Sequence, residues 1–382
     1  MSLAGTRRKG ATEPSAEAVR ADEIGLGSEE IPFTFTPADS WSPLVISFPH
    51  VGLRWPTNLL RPAPQVHFGR NADYEVHRLY PGAEFGGAAT VRATYSRLLV
   101  DLNRAADDVS PELVPDHPAA RPRPGTGVPG TLGRIPNRGV LWDTAVGNIP
   151  ILTAPVTFAE LGLRLRRYYE PYYSALRLLL ERRRERFGYA VLLEAHSMPS
   201  SVPGDIILGT LEGGSCSSAV ETLALETLRA KDPKTRRSLD IRLNDPYRGG
   251  NLVRTFGRPE EGIHALQVEV NRSLYMDEAS FQVWAPSTSA NEERSRARLL
   301  THRRRRLDLL LARLDHLLRS LAQVMLDHRA GAAETPLSSS SLNSSTPSSA
   351  SVQPRGDSLV QLDAPGLKSR QITLGPSNPK EP

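Results

Sequence analysis

Glu194 and His196 are the ionisable side chains of a largely apolar segment, Ala190 to Met198, which predicts a strand buried on both faces of a sheet. Pro199 ends the segment, so both polar groups lie near its carboxyl end. Ligands of open α/β sheets bind beyond the carboxyl ends of strands. This strand end is therefore a candidate functional site. For His196 taken alone, a histidine that only bonds within the core is the alternative.

A second imidazole, that of His50, follows another predicted strand. Val45 to Phe48 runs directly into Pro49-His-Val-Gly52, where Gly52 can adopt dihedral angles that other residues avoid. This order places His50 on a tight turn at the end of a strand. A turn histidine that bonds a backbone carbonyl is the alternative at this position.

A carboxylate lies within a third predicted strand, Leu266 to Arg272. Successive side chains of a strand point to opposite faces, so one face is apolar and the other carries Gln267, Glu269 and Asn271. A surface salt bridge is the alternative for Glu269, but a glutamate between two apolar residues is an unusual place for one. Glu269 is therefore a candidate general base.

Further elements must position these groups. Strands are predicted at Thr90 to Tyr95 and at Arg97 to Arg104, and the second would place Asp101 and Asn103 on one face. The other predicted segments are a loop with a short helix over residues 56–80, a mobile flap rich in Pro and Gly over 109–138, a small hairpin from 140–142 and 149–152, and short strands at 206–208 and from 241.

Helices are predicted between the strands. Thr157 and Glu160 have the spacing of a capping box, and the helix they begin continues past Pro171 to Phe187, with Gly188 after it. Two more helices are predicted over residues 218–230 and 291–328, and the last has an apolar stripe at three-four spacing. Its run of arginines at 303–306 and the run at 182–184 are interpreted as solvated helix faces, and a nucleic-acid site at 303–306 is the less favoured alternative.

Composition limits the classes of protein that remain. The 382 residues include 32 Pro, 29 Gly and a single cysteine, Cys216, which excludes an internal disulfide framework or a cysteine-based zinc site. The net charge of +5 is small, so nucleic acid is not an expected partner. No apolar run is long enough for a membrane span, so the cytoplasm is the expected location. Three regions are predicted: a loose arm over 1–30, a folded domain over 31–330 and a disordered Ser/Pro-rich tail over 331–382.

Five motifs occur in a fixed order along the chain: Pro49-His-x-Gly52, Val100-Asp-Leu-Asn-Arg104, His196-Ser-Met198, Asn244-x-Pro-Tyr-x-Gly-Gly250 and Glu269-x-Asn-Arg-x-Leu-Tyr-Met276. Together they closely resemble the N-formylglutamate amidohydrolase family over about residues 43–285. The resemblance implies an α/β three-layer sandwich with a mixed β-sheet flanked by helices, similar to the zinc exopeptidases and of the phosphorylase/hydrolase-like type. It also implies zinc-dependent hydrolysis of N-formyl-L-glutamate to formate and L-glutamate, the last step of one route of histidine degradation.

The resemblance implies roles for individual residues. A catalytic zinc ion takes imidazole and carboxylate ligands and keeps one position for water. The expected ligands are His50, His196 and Asp73, with Glu75 as the alternative to Asp73. Glu194 is expected to orient an imidazole, although the family more often has Asp at that position.

Glu269 matches the catalytic glutamate of the family and is expected to act as the base. The substrate carries two carboxylates, for which guanidinium and amide groups in the matching motifs are the expected partners: Asn103, Arg104, Asn244, Arg248 and Arg272.

Two other functions remain open at this point. One is hydrolysis of a different N-acyl amino acid or of a peptide by the same type of metal site. The other is a non-catalytic interaction protein on the same fold, in which the arginines at 303–306 and the tail would bind a partner. The expected partner is a small acidic N-acyl amino acid, with neither nucleic acid nor membrane, and the sequence leaves the oligomeric state open.

Overall fold

The computed structural model describes residues 19–323, except 28–29, 39–40, 58–60, 82, 84–86, 122–136, 153, 288 and 298. Most of the predicted N-terminal arm, the second half of the predicted flap and the predicted tail lie outside the described residues. The described residues all belong to one folded unit.

A mixed sheet of seven strands forms the centre of this unit. Its strands are β1 (Phe33–Thr36), β2 (Leu44–Phe48), β3 (Ala89–Ala93), β6 (Ala190–Met198), β7 (Ile206–Gly209), β8 (Ile241–Leu243) and β9 (Ile263–Asn271). Their order is β1-β3-β2-β6-β9-β7-β8. Strands β3, β2, β6 and β9 are mutually parallel, whereas β1 pairs antiparallel with β3, and β7 pairs antiparallel with β9. A separate small hairpin pairs β4 (Thr144–Ala145) with β5 (Ile149–Pro150).

Strand β6 lies in the middle of the sheet, and all nine of its residues are buried. Its alternating side chains supply two hydrophobic cores: Val191, Leu193 and Ala195 belong to one, and Ala190 and Leu192 to the other. A strand that is apolar on both faces needs cover on both faces, and helices supply it. The predicted mixed sheet flanked by helices is therefore confirmed.

Helices α1 (Phe158–Arg164), α2 (Glu170–Phe187) and α4 (Asn251–Phe256) contribute to the core that contains Ala190 and Leu192. Helices α3 (Ser218–Arg229) and α6 (Thr301–Gln323) contribute to the opposite one, and α5 (Ala290–Ala297) precedes α6. The apolar stripe of α6 is buried at Leu307, Leu310, Leu314, Leu317 and Leu321. Arg303 to Arg306 are exposed, as the sequence predicted.

The start and end of the α1–α2 segment follow from capping. The hydroxyl of Thr157 accepts a hydrogen bond from the backbone of Glu160, and Gly188 ends α2 with a positive φ of 80°. A π-helical stretch, Leu165–Tyr169, joins the two helices. The prediction of a fully solvated arginine run on α2 is wrong at Arg183. This side chain is buried, and its Nε donates to the backbone carbonyl of Leu44 at 3.2 Å.

Several local predictions are wrong. Residues 97–104 form turns and no strand, because the carboxylate of Asp101 bonds the backbone N–H of Asn103 and organises a turn there. The hairpin excludes residues 140–142, and the predicted helix near residue 80 is a pair of short 3₁₀ turns. The first part of the predicted mobile flap is packed, with Val109, Leu113 and Val114 buried. Helices α5 and α6 are separate where one helix was predicted.

Within the described ranges, no helix combines the length and the apolar character that crossing a membrane requires.

Candidate metal and catalytic site

Three parallel strands bring the predicted site residues to one edge of the sheet. His196 lies near the carboxyl end of β6 and is directly opposite Glu269 on β9. His50 follows the end of β2, which pairs with β6 on its other side. Asp73 comes from a distant loop, and its backbone N–H donates to the carbonyl of His50 at 2.9 Å. The sheet and this one hydrogen bond therefore bring together residues that are far apart in sequence.

His50, Asp73 and His196 form a buried cluster. Oδ2 of Asp73 lies 2.9 Å from Nδ1 of His196 and 3.4 Å from Nδ1 of His50. One ligand atom from each residue lies within 4.8 Å of the others, and all three residues are buried. Two imidazoles and a carboxylate at this separation are a donor set that suits zinc or another divalent metal ion.

Nε2 of His50, the ring nitrogen that points away from Asp73, contacts the carboxylate of Asp101. The distance from Nε2 of His50 to Oδ1 of Asp101 is 2.8 Å, and the carboxylate is fully buried. Asp101 also accepts hydrogen bonds from Arg97 at 2.7 Å and from the indole nitrogen of Trp142 at 3.0 Å. Burial alone would raise the pKa of Asp101, but the charges of Arg97 and His50 hold it well below its ordinary value. Asp101 therefore remains ionised and fixes the orientation of the His50 ring.

Nε2 of His196 faces Asn103 and Glu194. It lies 3.2 Å from Nδ2 of Asn103 and 3.6 Å from Oε2 of Glu194. Glu194 is fully buried, and neither of its carboxylate oxygens has a hydrogen-bond partner among the described residues. A buried carboxylate without a hydrogen bond is costly, and the imidazole of His196 is the ionisable group that Glu194 contacts among the described residues.

The two buried groups Asp73 and His196 shift one another's pKa. Burial would raise the pKa of Asp73, but hydrogen bonds to His196 and His50 lower it well below its ordinary value. Burial would lower the pKa of His196, but Asp73, Glu194 and Glu269 raise it well above its ordinary value. This cluster therefore strongly favours positive charge between its carboxylates.

Glu269 lies beside this cluster and lines the same cavity. Its Oε1 accepts a hydrogen bond of 2.9 Å from Nε2 of Gln267, which fixes the side chain. Burial raises its pKa to about 7, with the negative charge of Asp73 adding to the rise and the charge of His196 opposing it. A carboxyl group with a pKa near neutrality is suited to accept a proton and to donate it again.

The cavity has a volume of about 490 Å³ and a strongly cationic lining. Its acidic members are Asp73 and Glu269, whereas six arginines line it: Arg70, Arg97, Arg104, Arg138, Arg248 and Arg272. This charge pattern favours an anionic ligand.

The structure brings four of the five predicted substrate contacts to the cavity: Asn103, Arg104, Arg248 and Arg272. It does not bring Asn244, whose amide bonds the backbone N–H and the hydroxyl of Thr210 at 2.8 and 3.1 Å. Glu75, the alternative to Asp73, also lies apart from the histidine cluster, and its carboxylate lies 3.7 Å from Arg78.

Two of these contacts already have partners in the protein. The carbonyl oxygen of the Asn103 amide accepts from Leu252 N–H at 2.9 Å, while its nitrogen contacts His196 and Gln267. Arg272 donates to the hydroxyl of Ser197 at 3.1 Å and to the carbonyl of Ala72 at 2.7 Å. These hydrogen bonds hold the loop of Asp73 and the end of β6 in place.

Sequence reasoning missed Asp101 and Gln267 as members of the site. Asp101 belongs to one of the five motifs, but it was assigned to a predicted strand, on which no contact between its carboxylate and His50 was expected. Gln267 lies two residues before Glu269, on the same face of β9. Its amide oxygen also accepts from the backbone of Gly250 at 2.8 Å, which ties the cavity wall to the sheet.

The chain is similar to known proteins of one family. The family model described as N-formylglutamate amidohydrolase matches residues 42–276. An N-formylglutamate deformylase from Pseudomonas aeruginosa is 34% identical over 251 residues, which cover 62% of this chain and 83% of the relative. A protein of the same name from Pseudomonas putida is 33% identical over 249 residues, covering 62% and 82%. A crystal structure of N-formylglutamate amidohydrolase from Ralstonia eutropha JMP134 is 28% identical, with a TM-score of 0.56, and the match covers 76% of this chain and 99% of that one.

Proposed function

The chain belongs to the N-formylglutamate amidohydrolase family, and from this membership and the site we propose that it hydrolyses N-formyl-L-glutamate to formate and L-glutamate with a bound zinc ion. The observation that carries the proposal is the buried cluster of His50, Asp73 and His196, next to Glu269 in a cavity lined by arginines. The cytoplasm and a role as the last step of one histidine-degradation route are part of the same proposal.

The buried groups fit a metal ion. Nδ1 of His50 is buried without a hydrogen-bond partner and faces the carboxylate of Asp73. A cation between Nδ1 of His50, Nδ1 of His196 and Oδ2 of Asp73 would give that nitrogen a partner. With these atoms as ligands, the outer nitrogen of His50 would carry a proton, and Asp101 is placed to accept it.

When bound, the ion would act as a Lewis acid that polarises the formyl carbonyl and makes a water molecule more acidic. Glu269 accepts the proton of the attacking water and later delivers it to the nitrogen of the leaving glutamate. Gln267 donates a hydrogen bond to Oε1 of Glu269. Oε2 of Glu269 has no protein partner among the described residues, so this oxygen is available to the water. A bound cation also favours the ionised form of Glu269, which a base requires.

Arginines of the cavity wall hold the acidic substrate in position for this proton transfer. Arg104 lines the cavity and has no carboxylate partner among the described residues. Guanidinium groups bind carboxylates through two parallel hydrogen bonds, so they fix orientation as well as charge. A neutral substrate lacks these contacts and is expected to be hydrolysed more slowly.

A second candidate is deacylation of an amino acid with a larger acyl group. A cavity of about 490 Å³ lies within the size range of sites for drug-sized ligands, and the formyl group is the smallest acyl group. This volume leaves room for an acyl group larger than formyl.

A substrate panel separates the two candidates. Purified zinc-loaded protein would be assayed with N-formyl-L-glutamate, N-acetyl-L-glutamate and a dipeptide such as alanyl-glutamate, with release of free glutamate as the readout. We expect the highest kcat/KM with the formyl substrate. A higher value with the acetyl substrate would replace the proposal with the alternative, and a higher value with the dipeptide would make the protein a peptidase.

A further inference from the structure

Arg138 is a cation of the cavity wall that makes no ion pair with the carboxylates of the described residues. Three other arginines of this wall face carboxylates of the protein: Arg97 faces Asp101, Arg248 faces Glu212, and Arg272 faces Asp73 and Glu278. The charge of Asp143 acts on Arg138, but among the described residues no carboxylate forms an ion pair with it. Its charge is therefore available to a ligand of the cavity.

The guanidinium of Arg138 is held in place by Trp142. Its central carbon lies 4.8 Å from the centre of the indole ring, and the backbones of the two residues form an isolated β-bridge. The ring is itself fixed, because its nitrogen donates to Asp101 and Arg97 packs on it at 4.6 Å. A cation stacked on a fixed ring loses little further freedom when it binds an anion, which favours binding.

The surroundings of Arg138 are incomplete without an anion. The side chain is half-buried, its Nε is buried without a hydrogen-bond partner, and the donor at Nη2 reaches only the carbonyl of Ala145, at 3.4 Å. Burial lowers the pKa of this guanidinium and the nearby charge of Arg97 adds to the effect, whereas the negative charge of Asp143 opposes it. A planar anion that accepts two parallel hydrogen bonds would satisfy the unpaired donors and offset the repulsion, and a carboxylate has that shape.

The position of Arg138 relative to the metal ligands selects one of the two carboxylates. Asp101 contacts His50, Trp142 contacts Asp101, and Arg138 packs on Trp142, so two side chains separate Arg138 from His50. The α-carboxylate of an N-acyl amino acid is attached next to the scissile amide, whereas the side-chain carboxylate of glutamate is farther away. We propose that Arg138, stacked on Trp142, binds the side-chain carboxylate of the substrate and thereby selects acidic over neutral N-acyl amino acids.

This inference rests on the proposed function and is tested by a matched substrate pair. N-formyl-L-glutamate and N-formyl-L-glutamine have nearly the same shape and differ in the charge of the side chain. In Arg138→Gln, kcat/KM for the glutamate substrate is expected to fall about 10- to 100-fold, mainly through KM, while the value for the glutamine substrate changes little. Arg138→Lys keeps the charge without the planar fork and is expected to keep part of the preference.

Arg303→Gln is the control, because Arg303 also packs on a tryptophan, 4.9 Å from the ring centre of Trp284, but does not line the cavity. We expect it to leave the ratio of the two kcat/KM values unchanged. Two results would overturn the inference: an unchanged ratio in Arg138→Gln, whether both values fall equally or neither falls, or a collapse of the ratio in Arg303→Gln. Two amides of N-formylglutamate identify the carboxylate that Arg138 binds: the α-amide keeps the side-chain carboxylate, and the side-chain amide keeps the α-carboxylate. In Arg138→Gln, we expect kcat/KM to fall more for the α-amide than for the side-chain amide. The reverse would assign Arg138 to the α-carboxylate.

Calorimetric binding of L-glutamate and L-glutamine to the zinc-loaded protein separates failure of this inference from failure of the proposed function. If the wild type binds glutamate more tightly and Arg138→Gln removes that difference, Arg138 recognises the side-chain charge whatever reaction the site performs. If the wild type turns over N-formylglutamate but Arg138→Gln binds both amino acids as the wild type does, the inference is wrong and the proposed function stands.

Discussion

Replacing Asp101 with asparagine tests how strongly this carboxylate holds the metal ligand His50. Asp101 is fully buried and accepts hydrogen bonds from Arg97, Trp142 and the backbone of Asn103, besides its contact with His50. Asparagine keeps the shape, but it removes the charge and replaces one acceptor with a donor. Loss of a partner that orients a metal-bound histidine typically costs 10- to 100-fold in metal affinity. We therefore expect zinc to bind Asp101→Asn about 10- to 100-fold more weakly.

The same substitution is expected to destabilise the metal-free protein. The side chain of Arg97 is 17% exposed and would lose its carboxylate, and the buried indole N–H of Trp142 would face a donor. Breaking a largely buried ion pair from one side costs about 3–5 kcal/mol, and the solvent that reaches Arg97 reduces this to roughly 3 kcal/mol. Urea unfolding in the presence of a chelator measures this loss.

Zinc affinity would be measured by competition with a chromophoric chelator. Asp116→Asn is the matched control, because its carboxylate accepts a hydrogen bond from the backbone of Phe158 at an exposed helix start. We expect the control to bind zinc like the wild type. A folded Asp101→Asn protein with wild-type zinc affinity would refute the reasoning, since it would show that the His50–Asp101 contact does not support metal binding.

Two further predictions concern the carboxyl groups of the site. Glu269→Gln removes the proton acceptor and keeps the shape of the side chain. We therefore expect kcat for N-formylglutamate to fall by at least about 100-fold while the zinc content stays at the wild-type level. Loss of zinc would make Glu269 a ligand instead. The pKa of Asp101 is lowered in the folded state, so the stability it contributes is present above its ordinary pKa of about 3.9 and is lost as the pH falls below that value. The unfolding free energy of the metal-free wild type should therefore drop more steeply below about pH 4 than that of Asp101→Asn, and parallel pH profiles would contradict this assignment.

The sequence predicted the parts of the fold that depend on repeating patterns. The apolar run of β6, the alternation of β9, the capping of α1 by Thr157 and the apolar stripe of α6 are all present in the structure. Each is a local pattern whose period or spacing matches one type of secondary structure. The motif order also allowed the family to be identified, which the comparisons confirmed.

The parts that could not be predicted depend on contacts between distant residues. Asp101 bonds the backbone of Asn103 in the turn at residues 97–104 and also contacts the distant side chains of His50 and Trp142, and nothing in the apolar-polar alternation there excludes a strand. Arg183 lies in a basic run, but its Nε reaches a backbone carbonyl of β2 beneath the helix. Asn244 was expected at the substrate because of its motif, whereas its amide bonds the backbone N–H and the hydroxyl of the distant Thr210.

The most direct measurement of the central claim is hydrolysis of N-formyl-L-glutamate before and after removal of metal. The purified protein would be treated with a chelator, assayed for formate release, and assayed again after addition of one equivalent of zinc, with His196→Ala beside it. We expect activity to disappear with the metal and to return with zinc in the wild type, and we expect no return in His196→Ala. Undiminished hydrolysis by the metal-free protein, or full recovery by His196→Ala, would contradict this expectation.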